Sequence, residues 1–169
     1  MYQFTNNIDD LKKNIFLKKI GNNISIINQN GKKIKLGIKN IVTPFGLESY
    51  SYNKNQKLFL KINLSHDQYI TFRDFESDIG ELVNNQYNLR LNIKSQLICK
   101  IKYSNQLILK FKEYKNKIQT KIYNLDKTEV SLYNIKPKNI LNLELSPNIY
   151  IYGTEIIIKW SIITINILR

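Results

Sequence analysis

Six of the seven lysines within Leu97–Tyr123, namely Lys100, Lys102, Lys110, Lys112, Lys117 and Lys121, stand together with Tyr114 and Tyr123. Lys57 and Lys61 flank Phe59 in a shorter instance of the same pattern. An ammonium group neutralises a phosphate, and an exposed ring stacks on a base whatever its identity. Together these are the means of holding a single nucleic-acid strand without reading its sequence. These positions are therefore the candidate binding residues, provided the backbone brings them to one face.

Period-two alternation supplies such a face. Leu97, Cys99, Ile101 and Tyr103 alternate with Ile98, Lys100 and Lys102. Leu107, Leu109 and Phe111 alternate with Ile108, Lys110 and Lys112, and Ile118, Thr120 and Ile122 with Lys117, Gln119 and Lys121. Each run reads as a half-buried strand. A three-residue loop at Ser104-Asn105-Gln106 and a two-residue loop at Lys115-Asn116 set Lys100 opposite Lys110, and Lys110 opposite Lys121. Cys99–Phe111–Thr120 and Ile101–Leu109–Ile122 then form the core layer beneath. Like charges directly opposite on a sheet cost a few tenths to about 1 kcal/mol per pair. A sheet that meets a polyanion offsets that cost. The alternative is a solvated lysine edge that keeps the sheet soluble.

The chain of 169 residues has room for one domain with a real core, and it carries a formal charge of +13 with a pI near 9.7. Only Arg73, Arg90 and Arg169 are arginine, so a lysine- and asparagine-rich, AT-biased composition accounts for part of the charge. Its distribution is more telling. Nine basic residues face one acid, Glu113, between Leu82 and Lys121, whereas five acids face one base, Arg73, between Asp67 and Glu81. An anionic partner is the expectation.

The rest of the chain reads as mainly β. Asn30-Gly31 between Ile-rich runs predicts a hairpin with Ile27 opposite Ile34. Thr43-Pro44-Phe45-Gly46 breaks the chain before a strand at Lys57–Leu64. Phe72, Phe75, Ile79, Leu82 and Val83 recur at helical spacing and predict one amphipathic helix from Asp67 to Val83, ended at Asn84-Asn85 and followed by a strand within Tyr87–Ile93. Pro137 and Pro147 bracket a strand at Ile140–Leu145, and Glu155–Leu168, with Trp160 in the core, has the two-faced apolarity of a central strand. The expected architecture is a single β-barrel or sandwich over 1–169 with one helix, residues 1–22 being an N-terminal extension.

Several chemistries are missing. The single cysteine excludes a disulfide framework and a four-cysteine zinc site, and fits a reducing compartment with Cys99 in the core. His66 is the only histidine and reads as a turn residue. There is no phosphate-binding loop, dinucleotide fingerprint or nucleophile elbow. No secretory leader is expected, and Ile156–Leu168 is too short and polar to span a bilayer. The expectation is a protein that is not an enzyme, needs no cofactor or metal, and has no membrane partner.

The order of elements, a β-hairpin, the Thr43–Leu47 segment (Thr-Pro-Phe-Gly-Leu), a strand at Lys57–Leu64, an acidic helix, a basic β-meander and a Trp-containing strand at Ile156–Ile163, resembles a known family. It is similar to the large-DNA-virus relatives of the podophage-type single-stranded DNA-binding protein, an OB-fold family. The resemblance covers Asn23 to the C-terminus. It implies an OB-like β-barrel that binds single-stranded DNA in viral DNA replication or recombination. The implied setting is the host cytoplasm (a viral factory), the nucleus or the virion. Replication or virion proteins and a second copy of the chain are further candidate partners. The phage-type proteins end in an acidic tail that recruits such partners. Here the chain ends in the strand-like Ile162–Arg169, so that route is not expected. The competing reading is a virion structural protein, a minor capsid or capsid-associated β-barrel. A third is an accessory or inhibitory subunit acting on acidic partners.

Overall fold

A computed structural model describes residues 15–52, 55–99, 104–115 and 117–169. The strands are β1 (Phe16–Ile20), β2 (Asn23–Ile27), β3 (Leu36–Val42), β4 (Leu47–Tyr52) and β5 (Asn55–Leu64). Helix α1 (His66–Tyr87) follows. Then come β6 (Asn92–Lys94), β7 (Leu97–Ile98), β8 (Asn105–Phe111), β9 (Glu113–Tyr114), β10 (Lys117–Ile118) and β11 (Lys121–Tyr123). A 3₁₀ turn at Leu132–Asn134 leads into β12 (Ile140–Tyr152) and β13 (Glu155–Ile167). The protein is mainly β with one α-helix among the described residues, as the alternation pattern predicts.

The long antiparallel pair β12–β13 is the spine, and the sheet runs β1-β2-β12-β13-β8-β5-β4. One edge of β12 takes β3 along Ile140–Leu145 and β2 along Asn148–Tyr150. Pro147 does not end the strand, contrary to expectation. It falls in the gap between those two partners, where its missing N–H interrupts neither ladder. The far edge of β13 takes β6, β8 and β11 in succession, all parallel. Between β6 and β8, Gln96 fills the ladder by accepting the Trp160 backbone N–H at 3.2 Å.

The sheet curls without closing into a barrel. β3 and β5 share no ladder among the described residues. Thr43, fully buried, bridges them, donating its hydroxyl to Lys61 O at 3.1 Å. The Thr43–Gly46 break is where the sequence places it. Gly46 has φ +71°, and a Cβ there would stand 2.7 Å from Pro137 N, so only glycine fits.

Alternate residues of the long strands, Ile158, Trp160 and Ile162 among them, and the apolar stripe of α1 meet in one core, with Trp160 against Phe72 and Phe75. The Phe72 ring stands edge-on to Trp160, with centroids 4.9 Å apart. Ser65 caps α1 through a capping box with Gln68, so His66 is its first residue. The helix runs four residues beyond Val83 and stops at Asn88 in the left-handed region (φ 52°). The strand expected within Tyr87–Ile93 is β6, starting at Asn92.

Two local expectations shift. The Asn30-Gly31 turn sets Ile27 against Lys33 rather than Ile34. The Asn28 side chain causes this, because its Oδ1 accepts from both Asn30 N and Lys32 N at 3.0 Å and lengthens the turn by one residue. Residues Phe16–Ile20, placed in an N-terminal extension by the sequence, form edge strand β1 on β2, turned by Gly21.

Candidate nucleic-acid interface

Side chains alternate across β13, so Trp160 points to the core while Lys159 and Ser161 point to solvent. Cross-strand pairing extends this solvent face sideways. Asn148 stands opposite Lys159, Ser146 opposite Ser161, Ser161 beside Lys110, and Lys110 opposite Phe59. A groove of about 450 Å³ lies on this face, walled by Lys33, Lys110, Lys112, Tyr150 and Lys159 and floored by Ser146, Asn148 and Ser161. Beyond Lys110 a smaller hollow of about 210 Å³ is bounded by Tyr50, Lys57 and Glu113.

The groove is electrostatically loaded. Burial, and after it the neighbouring charge of Lys110, pulls the Lys159 pKa below that of an ordinary lysine. Its Nζ lies 5.2 Å from the Tyr150 ring centroid, a cation–π contact that partly relieves the crowding. Two other lysines are matched by carboxylates. Lys57 Nζ is 2.7 Å from Glu113 Oε2, and that hydrogen bond and charge raise its pKa. Lys61 Nζ is 2.9 Å from Glu48 Oε1 and also lies over the rings of Phe59 and Phe45, at 5.3 and 5.5 Å. Tyr50 packs on Phe59 at 5.8 Å between centroids, so an aromatic strip borders the groove along β4 and β5.

β9 and β10 form an arm that, among the described residues, pairs only with itself. The pairing of Tyr114 with Lys117 is as expected, and Asn116 lies outside the described residues. Tyr114 is 64% exposed, with Lys115 Nζ 5.5 Å from its ring.

The predicted residues divide accordingly. Lys57, Phe59, Lys61, Lys110 and Lys112 come together on one face. Tyr114 and Lys117 ride on the arm, while Lys121 and Tyr123 sit farther along β13, beside Thr164 and Asn166. Lys100 and Lys102 lie outside the described residues.

The expected lysine row does not form. Its register puts position 97 opposite Glu113, whereas Leu97 pairs with Leu107. The reason is that Asn105 and Gln106, read as turn, belong to β8 and pair with Leu64 and Asn63 of β5. Nor does Lys110 oppose Lys121. Thr120 diverts the chain, its Oγ1 accepting Lys112 N–H at 3.1 Å and donating to Ile162 O at 2.6 Å. The chain then returns to β13 as β11, so Lys110 and Lys121 stand along one edge, beside Ser161 and Thr164. Of the expected core layer, Leu109, Phe111, Thr120 and Ile122 are buried, but Cys99 is exposed.

Sequence reasoning passed over Lys33, Tyr50, Asn148, Tyr150 and Lys159. The usable signal was Lys159, the one charge within the apolar run Ile156–Leu168. A lysine in a central strand needs a reason to be there.

No protein-family model matches the chain, and no curated protein matches it. Solved structures do. The chain shares its fold with a phage protein. The single-stranded DNA-binding protein from bacteriophage Enc34, solved in complex with ssDNA, superposes with a TM-score of 0.58 at 10% identity, covering 93% of this chain and 96% of that one. A second structure of the Enc34 protein gives a TM-score of 0.57 at 10% identity, over 91% of this chain and 90% of that one. Its C-terminal truncation also gives 0.57 at 10% identity, over 90% and 92%. The likeness shows a common OB-like fold over about nine-tenths of the chain.

Proposed function

We propose that this protein is a non-catalytic single-stranded DNA-binding protein without strong sequence preference. The observation that carries the reading is the groove in which Lys110 and Lys159 stand side by side with Tyr150 and Phe59 on either hand. That arrangement is unfavourable to the free protein and complementary to a phosphate chain with bases to stack. The same fold in a phage protein solved with ssDNA supports it. Lys57, Lys61 and Lys112 border the path, and Tyr114 on the arm supplies a further ring.

Viral DNA replication or recombination is the proposed setting, at sites of viral DNA synthesis in the infected cell. Replication proteins, virion proteins and a second copy of the chain are the proposed protein partners. Among the described residues no helix is long and apolar enough to cross a membrane, and no group of three or more metal-ligating side chains assembles.

The test is a fluorescence titration against a labelled single-stranded oligonucleotide at two salt concentrations. With about six lysines on phosphates, the log–log salt slope is roughly −4. No binding at low salt overturns the proposal.

A further inference from the structure

The solvent face of β12–β13 continues past the groove. After Ser146 and Ser161 the register steps, with Leu145 opposite Ile162 and Glu144 opposite Thr164, so Ile163 is an extra residue on β13. Beyond it lies a second hollow of about 360 Å³, floored by Asn142, Thr164 and Asn166 and walled on one side by Lys35 and Lys39. On the other side β11 sets Lys121 beside Thr164 and Tyr123 beside Asn166.

We infer that this hollow is a second subsite for the same strand, which continues from the Lys110–Lys159 groove past Ile163 and lays its phosphates on Lys35, Lys39 and Lys121. The inference rests on the function proposed above. Three observations favour it. The basic wall is continuous, because Lys33 borders the first hollow and Lys35 the second. The floor is made of amides and a hydroxyl, with Asn142 and Asn166 directly opposed, so it offers donors and acceptors to base edges. The single carboxylate is already engaged, since Glu144 Oε2 accepts from Lys35 Nζ at 3.0 Å and from Thr164 Oγ1 at 3.3 Å. Glu144 thus holds Lys35 in the free protein, and an arriving phosphate takes its place.

The test compares two oligonucleotide lengths, about 4 and about 12 nucleotides, within the range one OB domain covers. Wild type is expected to bind the longer strand more tightly than added lattice positions alone give. A Lys35→Gln/Lys39→Gln/Lys121→Gln variant should bind the short strand as wild type does and lose about tenfold on the long one, with three phosphate contacts gone. Glu144→Gln should move the other way, gaining about threefold on the long strand only, as one opposing charge is removed. Equal losses on both lengths, or none on either, overturn the subsite while the first groove stands. Wild type that binds neither length overturns the function and the subsite together.

Discussion

Glu113 Oε2 stands 2.7 Å from Lys57 Nζ, tying the β9–β10 arm to β5 across the smaller hollow. Among the described residues β9 and β10 form a separate two-stranded ladder. The base is held at Thr120, whose hydroxyl links Lys112 N to Ile162 O. Among the described residues the arm is therefore a two-stranded ribbon joined to the sheet at Thr120 and to β5 by the Lys57–Glu113 ion pair.

A phosphate competes with Glu113 for Lys57. Glu113→Gln removes the competitor and keeps the side-chain shape. Affinity for single-stranded DNA should rise about two- to fivefold at low salt, and the gain should shrink as salt screens the charge. Titrations of both proteins at two ionic strengths check this, and an unchanged or weakened affinity excludes Lys57 from the binding path.

Lys110 and Lys159 give a prediction in salt and another in pH. Replacing both by glutamine should flatten the log–log salt slope by about 1.4, at 0.7 per phosphate contact. Burial and Lys110 lower the Lys159 pKa in the free protein, so it loses its proton below the usual lysine range. Bound phosphate favours the ammonium form. Affinity should therefore fall as pH rises toward 10, more steeply than in Lys159→Arg, which stays charged. Fold stability moves oppositely. A lysine with a depressed native pKa binds its proton more weakly folded than unfolded, so raising the pH through that value stabilises the fold. Denaturant melts across the same pH range measure this.

What the sequence makes legible follows the range of the interaction concerned. β5 can be read from its own alternation and β13 from its two-faced apolarity, and Trp160 is buried as expected. The pairing of Tyr114 with Lys117 is set by local chemistry and is found as predicted. The lysine row failed because its strand partners are not local. β8 lies between β13 and β5, whose partner residues are about fifty positions away on either side. Thr120 turns the chain by bonding Ile162 O, a group no window around position 120 contains. Candidate lysines could thus be named from type and alternation, while the face each occupies needed the tertiary ladder.

Glu76 carries a prediction for stability. It is buried, and its Oε1 accepts the Trp160 indole N–H at 2.7 Å directly behind the groove floor. Burial raises its pKa, against the opposing hydrogen bonds of Ser95 and Trp160. A raised native pKa contributes stability that is fully present below about 4.5, the ordinary value, and is lost as pH climbs through the native one. Glu76→Gln keeps an acceptor for the indole and cannot ionise. Its urea midpoint should exceed that of wild type at pH 7, with the difference narrowing toward pH 4. Glu76→Leu leaves the Trp160 N–H unpaired and should lose about 1–3 kcal/mol. A wild-type midpoint no lower than that of Glu76→Gln at pH 7 would falsify the assignment of Glu76 as a desolvated carboxylate.

Tyr150 separates stacking from charge. It lies on the solvent face of β12 beside Lys159, two residues from Asn148 on the groove floor. Base stacking on an aromatic ring is worth about 1–3 kcal/mol per base and involves no counterion release. Tyr150→Ala should therefore weaken binding by about five- to a hundredfold and leave the salt slope where it was. Tyr150→Phe keeps the ring and should retain most of the affinity. The opposite signature, a flatter slope with Tyr150→Ala, would mean that the ring acts only by holding the Lys159 ammonium in place. Stacking and the cation–π contact both survive in the Phe variant, so the salt slope of Tyr150→Ala is what separates the two cases. Measured beside Lys110→Gln/Lys159→Gln, the pair of slopes assigns the groove's affinity to phosphates and to bases separately.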